Sequence, residues 1–458
     1  MVEQVDVVVL GLGVGGEIVG GKLARAGMDV VGIEADLVGG ECPFWGCVPS
    51  KMMIRAANLL QEGRRIDGMA GHAQIDPDWG PVAQRIRSEG TSDWDDSAAV
   101  ERFRSTGARF VRGRGTLTGP GRVEVKGTVY EASRAVVLAT GTRPVVPPVD
   151  GLADTPYWTN RQAVEADVLP ESLAMLGGGA VGLELAQAYA RFGVPVTVVE
   201  VADRLLPAEE PETSALISEA LAADGITVHT SAAAQRVSHD GKQFRVEFAD
   251  RPAVTAQRLL VSAGRRGDLA GLGVDTVGLD PDAAAVEVDE RMRAGDGLYA
   301  VGDLTGRGQH THVATYQAMI AVRDITGEPG PPADYRALPR VTYTDPEVGV
   351  VGMTEAQARD AGLQVATGMT ELPKVARGWI HGPGNEGFLK LVGDTDAGVL
   401  VGATSAGPAG GEVLAMLSLA VQERVPVTHL RHMMYAYPTF YRGIADAVRD
   451  LARNAGLE

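Results

Sequence analysis

Cysteine is scarce in this sequence, because only two occur among 458 residues. Long apolar runs are absent as well: no stretch of 18 or more apolar residues occurs, which excludes a membrane-spanning helix. Basic residues are in deficit, with 42 Lys and Arg against 59 Asp and Glu. The resulting net charge of −17 repels phosphate backbones and disfavours nucleic-acid binding. The N-terminus has no basic region before its short apolar run, so we expect a first β-strand rather than a signal peptide, and a cytoplasmic protein.

The two cysteines, Cys42 and Cys47, lie close together in the segment GGECPFWGCVPSK at residues 39–51. Thiols are kept reduced in the cytoplasm, so such a pair indicates catalysis or metal binding rather than a structural disulfide. Four residues separate them, whereas common zinc sites have two-residue spacing and need further ligands. No metal site is therefore predicted. A redox-active pair is favoured over two buried structural thiols or half a metal site.

Two segments share a strand, glycine turn, helix and strand, the pattern of dinucleotide-binding units. Glycine permits a tight turn and lets the backbone approach a pyrophosphate, and the helix N-terminus supplies N–H groups. Each unit also has an acid 18 residues after its last glycine, namely Glu34 and Glu200. The glycines are Gly11, Gly13 and Gly16 in the first unit and Gly177, Gly179 and Gly182 in the second.

Two dinucleotide sites in one chain indicate FAD and NAD(H), with hydride transfer from nicotinamide to flavin. An acid at the position of Glu200 repels a 2′-phosphate and so favours NAD over NADP. Arg204 lies nearby and weakens this preference, although a solvated surface charge is the favoured interpretation. A disulfide beside the flavin could accept two electrons, and a thiolate at a helix start gains from the helix dipole. This chemistry explains why the two cysteines lie together.

On these motifs the sequence resembles the pyridine nucleotide-disulfide oxidoreductases, the group of lipoamide dehydrogenase, glutathione reductase and mercuric reductase. The segment GGECPFWGCVPSK is similar to the family pattern GG-x-C-x4-C-x-P-S-K. The segments LATGTRP, LYAVGDL, TYTDPEVGVVGMTE, GFLKLV and GPAGGEV also stand where the family has them. The resemblance covers nearly the whole chain.

The resemblance implies a role for several residues. It implies that Cys47 is the charge-transfer thiol against the flavin and that Cys42 is the interchange thiol facing substrate. It places Lys51 near the flavin ring edge, paired with Glu184, where a cation stabilises negative charge as the flavin is reduced. Asp303 is expected at the ribitol of FAD. Further cofactor-binding positions are expected at Gly40, Thr140, Gly141 and Gly264.

The predicted fold is α/β, with two Rossmann-like dinucleotide-binding domains and a C-terminal α+β dimerisation domain. Residues 1–150 and 267–335 are expected to form the FAD-binding domain. Residues 151–266 are expected to form the NAD(H)-binding domain, and residues 336–458 the dimerisation domain of a homodimer.

One segment departs from the family pattern. Disulfide reductases of the family carry HPT-x-x-E near the C-terminus, where a histidine reaching across the dimer handles the proton of thiol exchange and a glutamate orients it. This chain has YAYPTFYRG, so Tyr437 and Arg442 occupy those positions. Tyrosine, with a pKa of about 10 against about 6.5 for histidine, donates a proton but is a poor base. His429 and His432 precede the segment as possible substitutes.

The electron acceptor is left open by the sequence. The chain ends DLARNAGLE, without the C-terminal cysteine pair of conventional mercuric reductases. Phe44 and Trp45 either shape a site for a flat acceptor or pack on the flavin domain. The sequence predicts an FAD-dependent oxidoreductase that passes electrons through the Cys42–Cys47 disulfide to a small acceptor. The alternatives are a quinone-, diaphorase- or metal-ion-type reductase that donates directly from flavin, and a non-catalytic redox-sensing subunit.

Overall fold

The computed structural model describes residues 1–456 and divides them into two compact units, each assembled from three stretches of chain. The first unit contains Met1–Met52, Ala83–Val145 and Gly264–Asp334. The second contains Met53–Val82, Val146–Ala263 and the chain from Tyr335 onward. Within residues 1–456, no helix is long and apolar enough to cross a membrane. The domain boundaries at residues 150, 266 and 335 stay predictions.

The first unit is built on an eight-stranded sheet in which five successive strands run parallel. Its second-longest strand, Val2–Leu10, ends in an apolar run that is buried on both faces, as parallel strands usually are. Side chains alternate between the two faces: Val7 and Val9 join one apolar core, and Val8 and Leu10 the other. The strand order is Arg293–Gly295, Leu298–Ala300, Thr128–Leu138, Val2–Leu10, Val30–Glu34 and Arg109–Arg112, with Thr116–Gly119 and Arg122–Val125 paired at the side of Thr128–Leu138.

Helices of the first unit follow its strands and cover the sheet. Val14–Arg25 begins directly after a glycine turn and packs against the long helix Thr311–Thr326. A short strand pair, Arg143–Pro144 with Arg265–Arg266, adds to this unit. The other helical segments are Glu41–Phe44, Cys47–Arg64 (which begins in this unit), Ile86–Gly90, Ser92–Trp94, Ser97–Arg104, Ala270–Leu272, Val274–Val277 and Gly302–Thr305.

The second unit contains a four-stranded parallel sheet and a three-stranded antiparallel sheet. The parallel strands lie in the order Thr227–His229, Val196–Val199, Leu173–Leu176 and Arg258–Val261, and the antiparallel strands are Arg236–His239, Phe244–Glu247 and Val254–Ala256. The helical segments that accompany them are Gly80–Arg85, Leu152–Asp154, Asn160–Glu165, Ala180–Arg191 and Pro211–Ala223.

The C-terminal part of the second unit is a five-stranded antiparallel sheet covered by helices. Gly443–Asn454 is amphipathic: Ile444, Ala447, Val448 and Leu451 recur at helical spacing and are buried. The strand order is Pro339–Thr342, Glu347–Gly352, Val399–Gly407, Phe388–Asp394 and Val365–Glu371, and the other helical segments are Glu355–Asp360, Leu372–Lys374, Ala376–His381, Gly410–Gln422 and Val427–His432. The predicted fold class, two parallel-sheet units followed by an α+β segment, is confirmed.

Candidate active site

The first glycine turn leaves room for a phosphate group. Gly11 has φ +93°, and a Cβ built on it would lie 2.6 Å from the carbonyl oxygen of Ala139, so only glycine fits there. Gly13 caps the helix Val14–Arg25, and a Cβ on it would meet nothing within 4 Å. Open space therefore lies before a helix N-terminus whose first N–H groups have no partner inside the helix. The predicted residues fit the pyrophosphate of FAD.

Glu34 holds this turn through backbone hydrogen bonds. Its carboxylate accepts the N–H groups of Leu12 and Asp36, both at 2.7 Å. Burial raises the pKa of Glu34, and the two N–H donors oppose that shift. Each carboxylate oxygen keeps a further lone pair that can accept a ribose hydroxyl. The acid identified from the strand end thus shapes the turn, and its contact with a nucleotide stays a prediction.

The second unit repeats this arrangement. Gly177 has φ +113° and lies against the carbonyl of Ser262, and Gly179 caps the helix Ala180–Arg191 with open space around it. Glu200 accepts the N–H groups of Gly178 and Ala202. The two N–H donors stand 22 residues before and two residues after the acid, the same offsets as in the first unit. The two glycine turns therefore share the same hydrogen-bond pattern. Gly182, the last predicted glycine of this turn, packs against the carbonyl of Gly177.

Three other predicted cofactor positions of the first unit gather at the first turn. Gly16 packs against the carbonyl of Gly11, and the Cα of Thr140 lies on the other side of Gly11. Gly40 approaches Gly13 so closely that a Cβ on Gly40 would lie 3.0 Å from the Gly13 Cα. Because Gly40 directly precedes the first cysteine segment, that segment and the glycine turn are neighbours.

Asp303 belongs to a polar cluster that the sequence did not predict. The Thr142 hydroxyl donates to the Asp303 carboxylate at 2.9 Å and accepts from Arg265 Nε at 3.0 Å. Arg265 also lies 3.6 Å from the Glu41 carboxylate. Burial raises the pKa of Asp303, against the hydrogen bond from Thr142. The only signal was position, since the predicted residues Gly141 and Gly264 directly precede Thr142 and Arg265.

The two thiols lie at the starts of successive helices and have different acidities. Cys42 is in Glu41–Phe44 and Cys47 begins Cys47–Arg64; neither forms a disulfide. The hydrogen bond between them raises the pKa of Cys42 and lowers the pKa of Cys47 to about 6. The positive charge of Lys51 also lowers the pKa of Cys47. The hydrogen bond therefore makes Cys47 the more acidic thiol of the pair.

Thr311 is a further site residue that the sequence did not indicate. It begins the helix Thr311–Thr326, and its Oγ1 lies 3.4 Å from the Cys47 Sγ. Its hydroxyl also lowers the pKa of both thiols. Thr311 stands 264 residues from Cys47 in sequence, so no local pattern connects them.

Phe44 and Trp45, which separate the cysteines, are both buried, at 6% and 7% exposure. Their ring centroids are 5.9 Å apart, and Trp94 Nε1 donates to the carbonyl of Phe44 at 3.2 Å. Of the two sequence interpretations, packing on the flavin domain is thus favoured over a surface for a flat acceptor.

Lys51 and Glu184 each lie on a long helix. Lys51 stands one turn after Cys47, and its Nζ donates to Ser50 Oγ at 3.3 Å. Glu184 is buried at 5% exposure and accepts the backbone N–H of Tyr343 at 2.9 Å, in the segment TYTDPEVG. Their mutual ion pair stays a prediction.

In the C-terminal segment, the two residues that depart from the family pattern have different surroundings. Tyr437 is 75% exposed. Arg442 lies 3.3 Å from Asp446 on its own helix. His429 and His432 are exposed on the short helix Val427–His432. The tyrosine hydroxyl is thus open to solvent, whereas the arginine is held by a neighbouring carboxylate.

Arg204 is not a solvated surface charge, contrary to the favoured sequence interpretation. Its guanidinium donates to the carbonyls of Glu209 and Pro207 and to the Ser214 hydroxyl. These bonds fix the loop after Glu200. An arginine committed in this way does not weaken the preference for NAD.

Comparison with known proteins assigns the chain in two parts. Residues 5–318 match the family described as pyridine nucleotide-disulphide oxidoreductase. Residues 338–448 match the dimerisation domain of the same group.

Individual relatives extend over nearly the whole chain. It is 31% identical to a dihydrolipoyl dehydrogenase of Haloferax volcanii, covering 98% of this chain and 96% of that protein. It is 33% identical to a mercuric reductase of Shewanella putrefaciens, covering 96% of this chain and 79% of that protein. Its structure is similar to LpdA from Mycobacterium tuberculosis, with a TM-score of 0.85, 28% identity and coverage of 97% and 99%.

Proposed function

Because the chain belongs to the pyridine nucleotide-disulphide oxidoreductase family, we propose that it transfers a hydride from NADH to FAD and then two electrons to the Cys42–Cys47 pair, which reduces a small acceptor. The chain is a flavoprotein oxidoreductase that uses FAD and NAD(H), and its dimerisation domain supports a homodimer. The acceptor and the roles of individual residues are parts of the proposal.

The hydrogen-bonded pair of thiols at the starts of two successive helices, with Lys51 one turn after Cys47, is the observation that carries the proposal. A thiolate at Cys47 with a pKa of about 6 is formed at neutral pH without an external base. Cys42 donates a hydrogen bond to the Cys47 sulfur, which raises the pKa of Cys42. Bound FAD supplies the two-electron chemistry between nicotinamide and sulfur. Lys51, one turn after Cys47, places a positive charge where negative charge would accumulate.

The missing histidine–glutamate dyad limits the acceptor. Thiol–disulfide exchange requires a thiolate to attack and a proton for the departing sulfur. With tyrosine and arginine at positions 437 and 442, the oxidative half-reaction lacks the usual proton carrier of the family. We therefore expect lipoamide and glutathione disulfide to be poor substrates, while flavin reduction by NADH remains fast.

Stopped-flow kinetics separate the two half-reactions. General acid–base help is worth about 10²- to 10⁴-fold in rate, so the oxidative step with lipoamide should be slower than flavin reduction by a factor in that range. The double change Tyr437→His with Arg442→Glu should raise the oxidative rate and leave the reductive rate unchanged. Equal rates for the two half-reactions in the unmodified protein would refute this part of the proposal.

A second candidate function is direct electron donation from flavin to a quinone or a metal ion. The loss of the dyad favours it, because such an acceptor needs no thiol exchange. A metal ion is included because one relative is a mercuric reductase. Steady-state assays with NADH and lipoamide, low-molecular-weight disulfides, quinones, Hg(II) and oxygen distinguish the candidates. Turnover of a quinone by the Cys42→Ala variant at the unmodified rate would favour the second function.

The non-catalytic alternative has its own test. Anaerobic addition of NADH should bleach the flavin and produce a long-wavelength band from the thiolate beside it. A flavin that stays oxidised under these conditions identifies a redox-sensing or structural subunit instead.

A further inference from the structure

The loop that follows Glu200 packs against the second glycine turn. Leu206 of this loop donates its backbone N–H to the carbonyl of Gly178 at 3.0 Å, while Glu200 accepts the N–H of Gly178. Leu205 packs so closely that a Cβ on Gly178 would lie 2.6 Å from the Leu205 Cδ2. Both backbone polar groups of Gly178 are thus bonded to a segment that begins at the acid. The shape of the turn expected to receive NADH therefore depends on the position of this loop.

The first unit fixes its own turn with the same pair of bonds but with a different kind of residue. Leu12 donates its N–H to Glu34, and its carbonyl accepts the N–H of Gly39 at 2.7 Å. Gly39 has φ +110°, a backbone conformation that glycine adopts freely. Leu206 has φ +46°, which leucine rarely adopts because its Cβ crowds the following carbonyl oxygen. In the second unit, other contacts must therefore hold the loop in its conformation.

The half-buried side chain of Arg204 supplies these contacts. Its guanidinium donates to the carbonyls of Pro207 and Glu209, at 2.7 and 2.9 Å, and to the Ser214 hydroxyl at 2.8 Å. The Ser214 hydroxyl in turn donates to the carbonyl of Leu205. One side chain thus holds the backbone on both sides of the strained leucine, directly on one side and through a serine on the other.

The end of the loop is itself anchored to the C-terminal sheet of the same unit. The Glu209 carboxylate accepts both Nε and Nη2 of Arg340, at 2.7 Å each, from the strand Pro339–Thr342. A carboxylate and a guanidinium joined by two parallel bonds have a fixed mutual geometry. Because Arg204 donates to the backbone of this same glutamate, it ties the loop to a point that is held in place.

We propose that Arg204 is a positioning residue for NADH, which acts through Leu206 and Gly178 without touching the nucleotide. The inference rests on the proposed hydride transfer from NADH. Arg204 maintains the left-handed conformation of Leu206, and Leu206 fixes the Gly178 carbonyl, so the turn keeps the backbone geometry that receives a pyrophosphate. Because the guanidinium is bonded to three oxygens of the protein, its contribution is geometric. Its loss weakens nucleotide binding and leaves the hydride-transfer step unchanged once the nucleotide is bound.

Calorimetric titration of the FAD-loaded, oxidised protein with NAD⁺ tests the inference without turnover. Arg204→Met removes every donor of the side chain, so the Kd of NAD⁺ should rise about 10-fold, the effect of losing hydrogen bonds from a charged group. ADP-ribose, which has the pyrophosphate but no nicotinamide, should show the same rise. Arg204→Lys keeps the charge without the fork of donors and should retain most of the loss. Full recovery of affinity with lysine would show that the charge itself attracts the nucleotide, and would overturn the inference.

Hydrogen exchange measures the state of the loop directly. In nucleotide-free, FAD-loaded Arg204→Met, the peptides that contain Gly178 and Leu206 should exchange faster than in the unmodified protein. Ser214→Ala removes one of the three acceptors of Arg204 and should change the exchange and the Kd in the same direction by a smaller factor. This milder variant decides the question if Arg204→Met does not fold. Unchanged exchange and an unchanged Kd in a folded variant overturn the inference.

The matched control is Arg258→Met. Arg258 is also half-buried in the second unit and also donates to a backbone carbonyl, that of Gln257 at 3.1 Å. It pairs with Leu173 at the start of the strand Leu173–Leu176, the end opposite to the glycine turn. Arg258→Met should keep the unmodified Kd and the unmodified exchange at Gly178. A loss equal to that of Arg204→Met would indicate general loosening of the unit and overturn the inference.

Stopped-flow reduction of the flavin by NADH separates this inference from the proposed function. In Arg204→Met the limiting rate at saturating NADH should match that of the unmodified protein, and the NADH concentration at half-saturation should rise with the Kd. A lower limiting rate at an unchanged half-saturation concentration would overturn the positioning role. If NADH reduces the unmodified flavin but Arg204→Met binds NAD⁺ normally, only this inference fails. If NADH does not reduce the unmodified flavin, the proposed function fails and this inference with it.

Discussion

At the residue scale, one hydrogen bond between two sulfurs gives the two cysteines different acidities. Cys42 donates and Cys47 accepts, so the proton stays on the residue expected to face the acceptor and the negative charge on the residue expected to face the flavin. Lys51 favours the same distribution because its charge lowers the pKa of Cys47, whereas the Thr311 hydroxyl lowers the pKa of both thiols. The asymmetry comes from local geometry, because both residues are the same chemical group.

Removing the donor should therefore move the acidity of its neighbour. Cys42→Ala deletes the hydrogen bond that is the largest cause of the low pKa of Cys47, so that pKa should rise from about 6 toward the ordinary value of about 8.5. Titration of the thiolate ultraviolet absorbance in the reduced protein measures it. Cys47→Ala is the converse control and should lower the pKa of Cys42. A Cys47 pKa that stays near 6 without Cys42 would assign the shift to Lys51 and Thr311 instead.

Glu200 provides a second prediction for a single residue. Its buried carboxylate accepts two backbone N–H groups, and we expect it to face the ribose of the nicotinamide nucleotide. Glu200→Gln removes the negative charge that repels a 2′-phosphate, so kcat/KM for NADPH relative to NADH should rise about 10-fold, or about 1.4 kcal/mol. Glu247→Gln, at a carboxylate paired with Arg245 on the surface of the same unit, should leave the ratio unchanged. A preference for NADPH in the unmodified protein would contradict the assignment.

At the scale of elements, the sequence predicts what is local and misses what is distant. The strand, glycine turn, helix and acid of each unit lie within 33 residues, so pattern alone identified Gly11, Glu34 and their counterparts. The pairs Thr142–Asp303 and Cys47–Thr311 are separated by 161 and 264 residues, and no periodicity encodes such contacts. Burial of Phe44 and Trp45 was undecided for the same reason, since it depends on what packs over them.

A buried cluster of charged residues was also not predicted from the sequence. It joins a helix and a strand of the second unit. Lys390, on Phe388–Asp394, pairs with Glu210 and Glu212 at the start of Pro211–Ala223 and with Glu355, all within 3.1 Å. Burial alone would lower the pKa of Lys390, but the three carboxylates raise it overall. The lysine is therefore charged, and its three carboxylate partners outnumber it.

Lys390→Met should destabilise the protein, because it leaves buried Glu210 without its cation. Removing one partner of a buried ion pair costs about 3–5 kcal/mol, which urea unfolding of the second unit would detect. Lys374→Met is the matched control, since that lysine is exposed and pairs with Glu371 within one turn. Such exposed pairs contribute about 0–1 kcal/mol. Equal losses in the two variants would show that the cluster contributes no more than a surface pair.

At the scale of the whole molecule, large apolar side chains remain exposed on the C-terminal part. Leu419 is 60% exposed and Met434 is 92% exposed. Both belong to the segment that matches the dimerisation domain. We therefore expect these side chains to lie in the interface of the homodimer.

Sedimentation should accordingly give a species of about twice the 47.9 kDa chain at micromolar concentration. Leu419→Glu places a charge in the expected interface and should shift the protein toward the single chain. Val168→Glu, at a residue 78% exposed outside the matched dimerisation segment, should sediment like the unmodified protein. A single-chain species for the unmodified protein would contradict the homodimer.

The two glycine turns that Glu34 and Glu200 stabilise bear on the order of folding and cofactor binding. Glu34 and Glu200 hold their turns through the protein's own backbone, so the shape that receives a nucleotide is formed by the polypeptide itself. The chain can then fold before it binds FAD, and the cofactor binds to a preformed site. Protein stripped of its flavin should keep its secondary structure and recover its colour on simple mixing with FAD.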